Sequence, residues 1–173
     1  MADVRLRRWR IADAADIAVM VENEYLRPWS TMGDGVEAWV RREIAEERGP
    51  TRAICLADDD RALGRVAVRP PELASEAVRC EAVRESDQPA GELSYWLLPA
   101  ARGRGLAYAA VRLMIESVAP ALGLRSVVLD IEDGNLPSMR LAERLGAERR
   151  SPTRVHPGRL GEPHTMVVYV LPL

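Results

Sequence analysis

The sequence predicts an α/β fold in which helices flank one mixed β-sheet. Three observations support this class. Apolar residues recur at strand spacing and at helix spacing in turn along the 173 residues. A glycine-containing segment, residues 102–107, separates a strand-like stretch from a helix-like stretch. No internal repeat and no linker-like stretch divides the chain, so residues 1–173 are predicted to form a single domain.

The first part of the chain predicts a strand followed by two helices. Residues 4–9 alternate between polar and apolar side chains, as a strand does. Asp13 is predicted to cap a helix that ends at Pro28, and Asp34 with Glu37 is predicted to cap a second helix. Apolar side chains at helical spacing mark one face of each helix: Ile17, Met20, Val21 and Tyr25 in the first, and Val36, Trp39, Val40 and Ile44 in the second.

The remaining chain predicts a hairpin and then strands alternating with helices. Residues 58–60 are all aspartate and suit the turn of the hairpin. Residues 70–90 are polar and aperiodic, so a long loop is expected there. Strands are predicted at residues 51–57, 63–68, 91–98, 126–131, 148–150 and 165–171, and helices at residues 106–118 and 135–145.

Composition narrows the function classes. The 26 acidic residues nearly balance the 24 basic ones, so no strong field favours nucleic acid or an anionic membrane. Cys55 and Cys80 are too few and too far apart for a zinc site, and no metal is expected. With no disulfide framework and no signal-like or membrane-spanning apolar run, a cytoplasmic location is expected.

The most informative motif is the segment RGRGLA at residues 102–107, which precedes a predicted helix. Glycines let the backbone pass close to an anion, and the free N–H groups and dipole of a helix start attract one. A P-loop is excluded because the chain contains no lysine. A dinucleotide-binding fingerprint fails at Tyr108, where a third glycine is needed. An ordinary glycine-containing turn remains an alternative.

A third pattern, Q/R-x-x-G-x-G/A, is satisfied by Arg102, Gly105 and Ala107. Here the chain resembles the GNAT superfamily of N-acetyltransferases, in which such a loop holds the pyrophosphate of acetyl-CoA. The predicted element order is also that of the GNAT fold, whose sheet is mostly antiparallel, so the resemblance covers essentially the whole chain. It implies acetyl-CoA as co-substrate, bound by the loop residues Arg102, Gly103, Arg104, Gly105, Leu106 and Ala107.

Two further segments are similar to the RimJ/RimL-type branch of GNAT enzymes, which acts on protein N-termini. These are residues 92–97 (ELSYWL) and the block from Asn135 to Ser138 that opens a helix ending in Leu-Gly. The resemblance implies that Asn135 and Ser138 contact the pantetheine arm and thiol of the co-substrate. It also implies backbone contacts with the thioester at Trp96, Leu97 and Leu98. Helix capping alone is an equal explanation for Asn135.

The chain departs from the family at one catalytic position. Many GNAT enzymes carry a tyrosine general acid four residues after the position of Ser138, where this sequence has Ala142. RimJ/RimL-type enzymes share this absence. A thiol with a pKa of about 8.5 leaves without a strong acid. Ser138 is expected to steady the sulfur or relay a proton.

Limited acid–base equipment also bears on the acceptor. A lysine amine, with a pKa of about 10.4, is almost entirely protonated at neutral pH, whereas an α-amine at about 7.7–8.0 is neutral roughly one time in ten. A protein N-terminal α-amine is therefore the expected acceptor. Glu92 is the favoured general base, directly or through water, and Asp130 on the neighbouring strand is the second candidate. A solvated or salt-bridged strand-end charge explains Glu92 equally well and explains Asp130 better.

Two other functions stay open at this point. The acceptor could be a small amine such as a polyamine or an aminoglycoside. A module that binds acyl-CoA without turnover would also fit the absence of a tyrosine at Ala142. Trp29 is a candidate wall of the acceptor site, and the last strands are candidates for a homodimer contact.

Overall fold

A computed structural model describes residues 3–20, 35–75, 88–157 and 161–173. The strands are β1 (Val4–Arg7), β2 (Thr51–Leu56), β3 (Asp59–Arg69), β4 (Ala90–Leu97), β5 (Ser126–Glu132), β6 (Glu148–Pro157) and β7 (Pro163–Pro172). The α-helices within these ranges are α1 (Asp13–Ile17), α2 (Val36–Ile44), α3 (Leu106–Val118) and α4 (Leu136–Leu145). Short 3₁₀ turns follow α1, β3, β4 and α3.

The strands form one seven-stranded sheet in the order β1-β2-β3-β4-β5-β7-β6. The pairs β1–β2, β2–β3, β5–β7 and β6–β7 are antiparallel, whereas β4 and β5 run parallel. The parallel pair is joined through α3, as a parallel connection requires. The predicted fold class is therefore confirmed, since the sheet is single, mixed and mostly antiparallel.

The chain divides into two compact units, and the first comprises described residues within 3–67 and 95–114. Its core includes Ile17, Met20, Val40, Ile54 and Leu106, each at most 1% exposed. The predicted hairpin is present, with Leu56 paired to Asp59 across a two-residue turn. Cys55 is fully buried there, as its apolar surroundings in the sequence indicate.

Both helix caps predicted in the first unit need correction. Asp13 is not an N-cap: it lies inside α1, whose N-cap is Ala12. Its buried carboxylate instead accepts hydrogen bonds from the Arg7 guanidinium at 2.7 and 2.8 Å and from the Arg10 amide. Arg7 lies six residues before Asp13, outside the positions that a capping pattern considers. The N-cap of α2 is Gly35, with no side-chain cap, and Glu37 pairs with Arg41 at 2.6 Å.

The second unit comprises described residues within 68–94 and 115–173. Its core is built on β5 and β7, where Val127, Val128, Val167 and Tyr169 are fully buried. Strand β6 runs to Pro157, well beyond the predicted residues 148–150. The predicted strand is shorter because the β6–β7 register shifts between Arg150 and Arg154, which interrupts the alternation of side chains along the strand.

Several predicted features fall outside the described residues. They are the end of the first helix with Trp29, the cap residue Asp34, Cys80 and most of the loop predicted at residues 70–90. The described part of that loop contains a 3₁₀ turn at Pro71–Leu73, and β4 begins at Ala90. No helix among the described residues is long and apolar enough to cross a membrane.

Candidate active site

The segment predicted to bind phosphate joins β4 to α3 in the first unit. A 3₁₀ turn at Pro99–Ala101 follows β4, and α3 begins at Leu106. Gly103 and Gly105 have φ angles of 73° and 76°, a left-handed conformation that side chains other than glycine adopt at a cost. No heavy atom lies within 4 Å of the position that a Cβ would take at either glycine. The loop backbone is therefore open to a ligand.

The N-cap of α3 is a glycine, which has no side chain to bond the first N–H groups of the helix. The Gly105 carbonyl accepts from the Ala109 amide at 3.2 Å, which makes Gly105 the N-cap. The first N–H groups of a helix have no partner within the helix, and the dipole adds partial positive charge there. The buried Leu106 side chain anchors this end of α3. The arrangement fits an anion at the helix start.

Two arginines add formal charge to the loop. Arg102 and Arg104 are both exposed. The Arg102 Nε donates a hydrogen bond to the Leu97 carbonyl at 3.2 Å, which holds the side chain beside the end of β4. The terminal guanidinium nitrogens can face a phosphate while Nε is held. The open glycines, uncapped helix and arginines together fit the pyrophosphate of a nucleotide-type ligand.

The end of β4 is fixed by its neighbour β3. The Leu98 amide donates to the Leu63 carbonyl at 2.8 Å. A Cβ on Gly64 would lie 2.3 Å from the Trp96 carbonyl oxygen, so only glycine permits this approach. The Leu97 carbonyl is already bonded to Arg102. The backbone groups predicted to meet a thioester are thus held in place, and two of them already have protein partners.

In the second unit, the carboxylate of Glu92 is buried and fully engaged. Its Oε1 accepts from Arg69 Nη1 at 3.0 Å, and its Oε2 accepts from the Ser75 amide at 2.6 Å. The residue is 9% exposed. Taking up a proton would weaken both bonds. The geometry therefore favours a structural role for Glu92 over the role of base predicted from the sequence.

Asp130 is the other carboxylate predicted from the sequence, and its two oxygens differ. Oδ2 forms an ion pair with the Arg154 guanidinium on β6. Oδ1 is buried and has no hydrogen-bond partner among the described residues. Burial raises the pKa of Asp130 above its ordinary value, the charge of Arg154 works against that rise, and the charge of Glu92 adds to it. A carboxylate with one unoccupied oxygen and a raised pKa is suited to accept a proton.

The start of α4 contains the second predicted cofactor block. Asn135 is the N-cap, and its side-chain oxygen accepts from the Ser138 amide at 3.3 Å. Capping is therefore one real role of Asn135. Its side chain is exposed and Ser138 is half-buried, so both can be reached by a ligand.

The position of the missing tyrosine is closed. Ala142 is fully buried in α4, so no larger side chain would fit there without repacking. Tyr169 on β7 is also fully buried, and its hydroxyl donates to Glu143 Oε1 at 3.2 Å. Burial raises the pKa of Tyr169, and its engaged hydroxyl does not replace an exposed general acid.

The predicted site residues fall into two sets, one in each unit. The first unit carries Trp96, Leu97, Leu98 and the loop from Arg102 to Ala107; the second carries Glu92, Asp130, Asn135 and Ser138. Arg69 and Arg154 bind the two carboxylates and are not among the residues predicted from the sequence. Basic residues on strands were the available signal, but an arginine-rich chain offers many of them. In the described ranges, no three His, Cys, Asp or Glu side chains are grouped as a metal site would require.

Comparison with known proteins gives one family. The model for the acetyltransferase (GNAT) domain matches residues 3–148. No curated protein matches the sequence.

Solved structures of the same fold cover nearly the whole chain. The GNAT-family acetyltransferase from Bacillus anthracis has a TM-score of 0.77 at 13% identity, over 99% of this chain and 96% of its own. The microcin C7 self-immunity acetyltransferase, solved with acetyl-CoA and AMP, has a TM-score of 0.73 at 14% identity, over 99% and 93%. The ribosomal-protein-alanine N-acetyltransferase from Brucella melitensis has a TM-score of 0.69 at 18% identity, over 98% and 99%.

Proposed function

Because the chain belongs to the acetyltransferase (GNAT) domain family, and is thus an acyltransferase, we propose that it acetylates a protein N-terminal α-amine. The donor is acetyl-CoA, which is also bound in the microcin C7 self-immunity acetyltransferase. The observation that carries the donor half of the proposal is the open, glycine-lined start of α3 with its two exposed arginines. No heavy atom of the described residues lies near either glycine where a side chain would be, which leaves room for an anion.

The loop binds the pyrophosphate of the donor. Backbone N–H groups at the start of α3 donate to its oxygens, and Arg102 and Arg104 supply charge. Gly103 and Gly105 are needed because a Cβ at these left-handed positions would strain the loop and narrow the approach. Asn135 and Ser138 are proposed to contact the pantetheine arm and the thiol end.

Attack by the amine requires removal of one proton from nitrogen. We assign this proton to Asp130, whose buried Oδ1 has no partner among the described residues, in preference to Glu92, whose two oxygens are bound by Arg69 and Ser75. The amine nitrogen forms a bond to the acetyl carbon, the carbon–sulfur bond breaks, and the sulfur leaves as a thiolate while the proton stays on Asp130. The Ser138 hydroxyl is the proposed donor that steadies the departing sulfur.

The acceptor class follows from the acid–base groups of the part of the chain that the structure describes. A buried alanine occupies the position of a tyrosine acid, and Tyr169 is engaged elsewhere. A site with modest acid–base groups suits an α-amine, a tenth of which is neutral at about pH 7, better than a lysine amine. The fold shared with the ribosomal-protein-alanine N-acetyltransferase from Brucella melitensis is consistent with this choice.

One other function has a specific observation in its favour. The closed position at Ala142 also fits a module that binds acyl-CoA without turnover. It predicts tight binding of acetyl-CoA with no transfer to any amine. A small-molecule acceptor, such as a polyamine or aminoglycoside, keeps the same donor chemistry and changes only the acceptor.

The decisive experiment is an acceptor panel scored by release of free thiol from acetyl-CoA. It contains short peptides with a free N-terminus, the same peptides blocked at the N-terminus but carrying lysine, a polyamine and an aminoglycoside. We expect turnover with free N-termini only. Turnover with a small amine alone would replace the proposed acceptor. Calorimetric binding of acetyl-CoA without any turnover would identify the binding module instead.

A further inference from the structure

We propose that Arg154 is a positioning residue for acetyl transfer, which holds Asp130 Oδ2 and leaves Oδ1 for the proton of the attacking amine. The inference rests on the proposed function, in which Asp130 is the base. Beyond that assignment, the second unit shows which residue orients the base and which irregularity of β6 brings it there.

Strand β6 contains a bulge between Arg150 and Arg154. Arg150 pairs with Val168 of β7 and Arg154 pairs with Met166, so three residues of β6 lie opposite one residue of β7. In a regular strand, residue 152 would lie opposite Met166. Bulges redirect side chains and are common next to active sites. This bulge places Arg154 where the register alone would not.

The side chain of Arg154 reaches across β7 to Asp130 on β5. Asp130 pairs with Val168, which also pairs with Arg150, so all three lie on one face of the sheet. Strand β7 lies between β5 and β6, which puts these two strands about 9.5 Å apart. Only a long side chain can cross that distance, and the Arg154 guanidinium donates to Asp130 Oδ2. Arg150 instead pairs with Glu148 at 3.2 Å.

The ion pair between Arg154 and Asp130 is shielded from water, since their side chains are 17% and 12% exposed. A carboxylate held at one oxygen cannot exchange its two oxygens by rotation without breaking that bond. Oδ1 therefore keeps its direction, and it has no partner among the described residues. The guanidinium does not take part in the proton transfer, because arginine stays protonated in proteins. Arg154 thus acts on the reaction only through Asp130.

Other charged groups surround Asp130 and help to set the pH range in which it can accept a proton. They are Glu92 with its partner Arg69, Glu132 on β5, His156 on β6, and His164 on β7, which is bonded to Glu132. The charge of Glu92 opposes ionisation of Asp130, whereas that of Arg154 favours it. Without Arg154, a buried carboxylate would lose its bonded cation and would take up a proton more readily.

The test compares the pH profiles of kcat/KM for the wild type and Arg154→Gln with one free N-terminal peptide. The variant-to-wild-type ratio cancels the protonation of the peptide amine, which is common to both enzymes. We expect this ratio to be about tenfold lower at the acidic end of the profile than at the alkaline end, because an adjacent cation favours the ionised carboxylate. Arg154→Lys keeps the charge and should restore most of the acidic activity.

Arg150→Gln is the matched control, because Arg150 lies on the same strand and face but pairs with the exposed Glu148. Its ratio to the wild type should be the same at every pH. A loss in Arg154→Gln that is equal at every pH, or no loss, would overturn the inference while leaving the acetyltransferase proposal standing. If Arg154→Gln does not fold, Arg154→Met, which keeps the aliphatic stem, takes its place in the same comparison. No turnover by the wild type with any amine would instead refute the proposed function.

Discussion

The candidate residues of the first unit and those of the second are built in opposite ways. The loop from Arg102 to Ala107 is exposed, lined by left-handed glycines and open above its backbone. The side chains of Glu92 and Asp130 in the second unit are only 11% and 12% exposed, and each is bound by an arginine of its own unit. The loop of the first unit leaves space for a ligand, whereas the charges of Glu92 and Asp130 are already compensated by arginines of the protein.

Burial explains this difference. Water satisfies an exposed helix start and exposed arginines at little cost, so the loop can stay open without a ligand. A buried carboxylate without partners would cost several kcal/mol, so Glu92 requires Arg69 and Ser75, and Asp130 requires Arg154. The exception is Asp130 Oδ1, which remains buried without a described partner. An exception of this kind is where chemistry is expected.

The largest effect should come from replacing the Asp130 carboxylate. Asp130→Asn keeps the shape of the side chain but cannot take up the proton, and general-base catalysis contributes about a hundredfold or more. We expect kcat/KM with a free N-terminal peptide to fall by that factor, measured by thiol release. Glu132→Gln, on the same strand and bonded to His164, is the matched control. A similar loss in both variants would remove the distinction between Asp130 and its neighbours.

The same residue predicts a pH dependence of stability. Its pKa is raised in the folded state, so the folded protein binds the proton more tightly than the unfolded chain. The stabilisation from this group is complete below its unfolded pKa and is lost as the pH rises through the folded value. Urea unfolding of the wild type and Asp130→Asn across that acidic range should show their difference in stability changing in this direction. A pH-independent difference would contradict the assignment of the buried oxygen.

The next largest effect should come from closing the open loop. Gly105→Glu places a negative charge at the start of α3, where it would repel a phosphate and imposes a side chain on a left-handed residue. We expect the Kd for acetyl-CoA to rise about thirtyfold by calorimetry, equivalent to about 2 kcal/mol. Gly123→Glu is matched, because Gly123 is also left-handed, exposed and open. Equal loss of affinity in both variants would show that strain, rather than position, weakens binding.

A third variant tests whether the ion pair of Glu92 with Arg69 has a structural role. Glu92→Gln removes the charge that pairs with Arg69 but keeps one acceptor oxygen. Hydrogen bonds to charged groups contribute about 1.5–3 kcal/mol, so we expect a loss of about 1.5 kcal/mol in unfolding free energy by denaturant titration. Its kcat should fall far less than that of Asp130→Asn. An unchanged stability with a hundredfold lower kcat would make Glu92 the base.

The conformation of the loop from Arg102 to Ala107 could be predicted from the sequence because the residues that determine it are adjacent in the chain. Adjacent glycines and arginines at a strand-to-helix boundary need no knowledge of the rest of the chain. The same holds for Asn135, whose cap bond reaches Ser138, three residues away. The order of strands and helices followed from periodicity in the same way.

The ion pairs of Glu92 and Asp130 could not be predicted because the partner of each lies far away in the sequence. Arg69 is 23 residues from Glu92, and Arg154 is 24 residues from Asp130. Only the sheet brings them together, and an arginine-rich sequence gives no reason to choose these two. The sequence favours Glu92 over Asp130 as base because nothing in it indicates that Arg69 and Ser75 bind both oxygens of Glu92. Asp13 was predicted to be a cap for a different reason: Arg7 lies only six residues away, but a capping pattern considers only the residues at the start of the helix.

The smallest expected effect concerns Asn135, which shares one feature with the exposed loop and one with the buried carboxylates. It is exposed like the loop, yet its side chain is already bonded to the Ser138 amide like the buried carboxylates. Asn135→Ala should lower the unfolding free energy by about 1 kcal/mol, and Asn135→Asp, which still caps, should restore it. If capping were its only role, both variants would bind acetyl-CoA as the wild type does. A lower affinity in Asn135→Asp despite restored stability, measured by calorimetry, would assign the amide of Asn135 to the donor as well as to the helix.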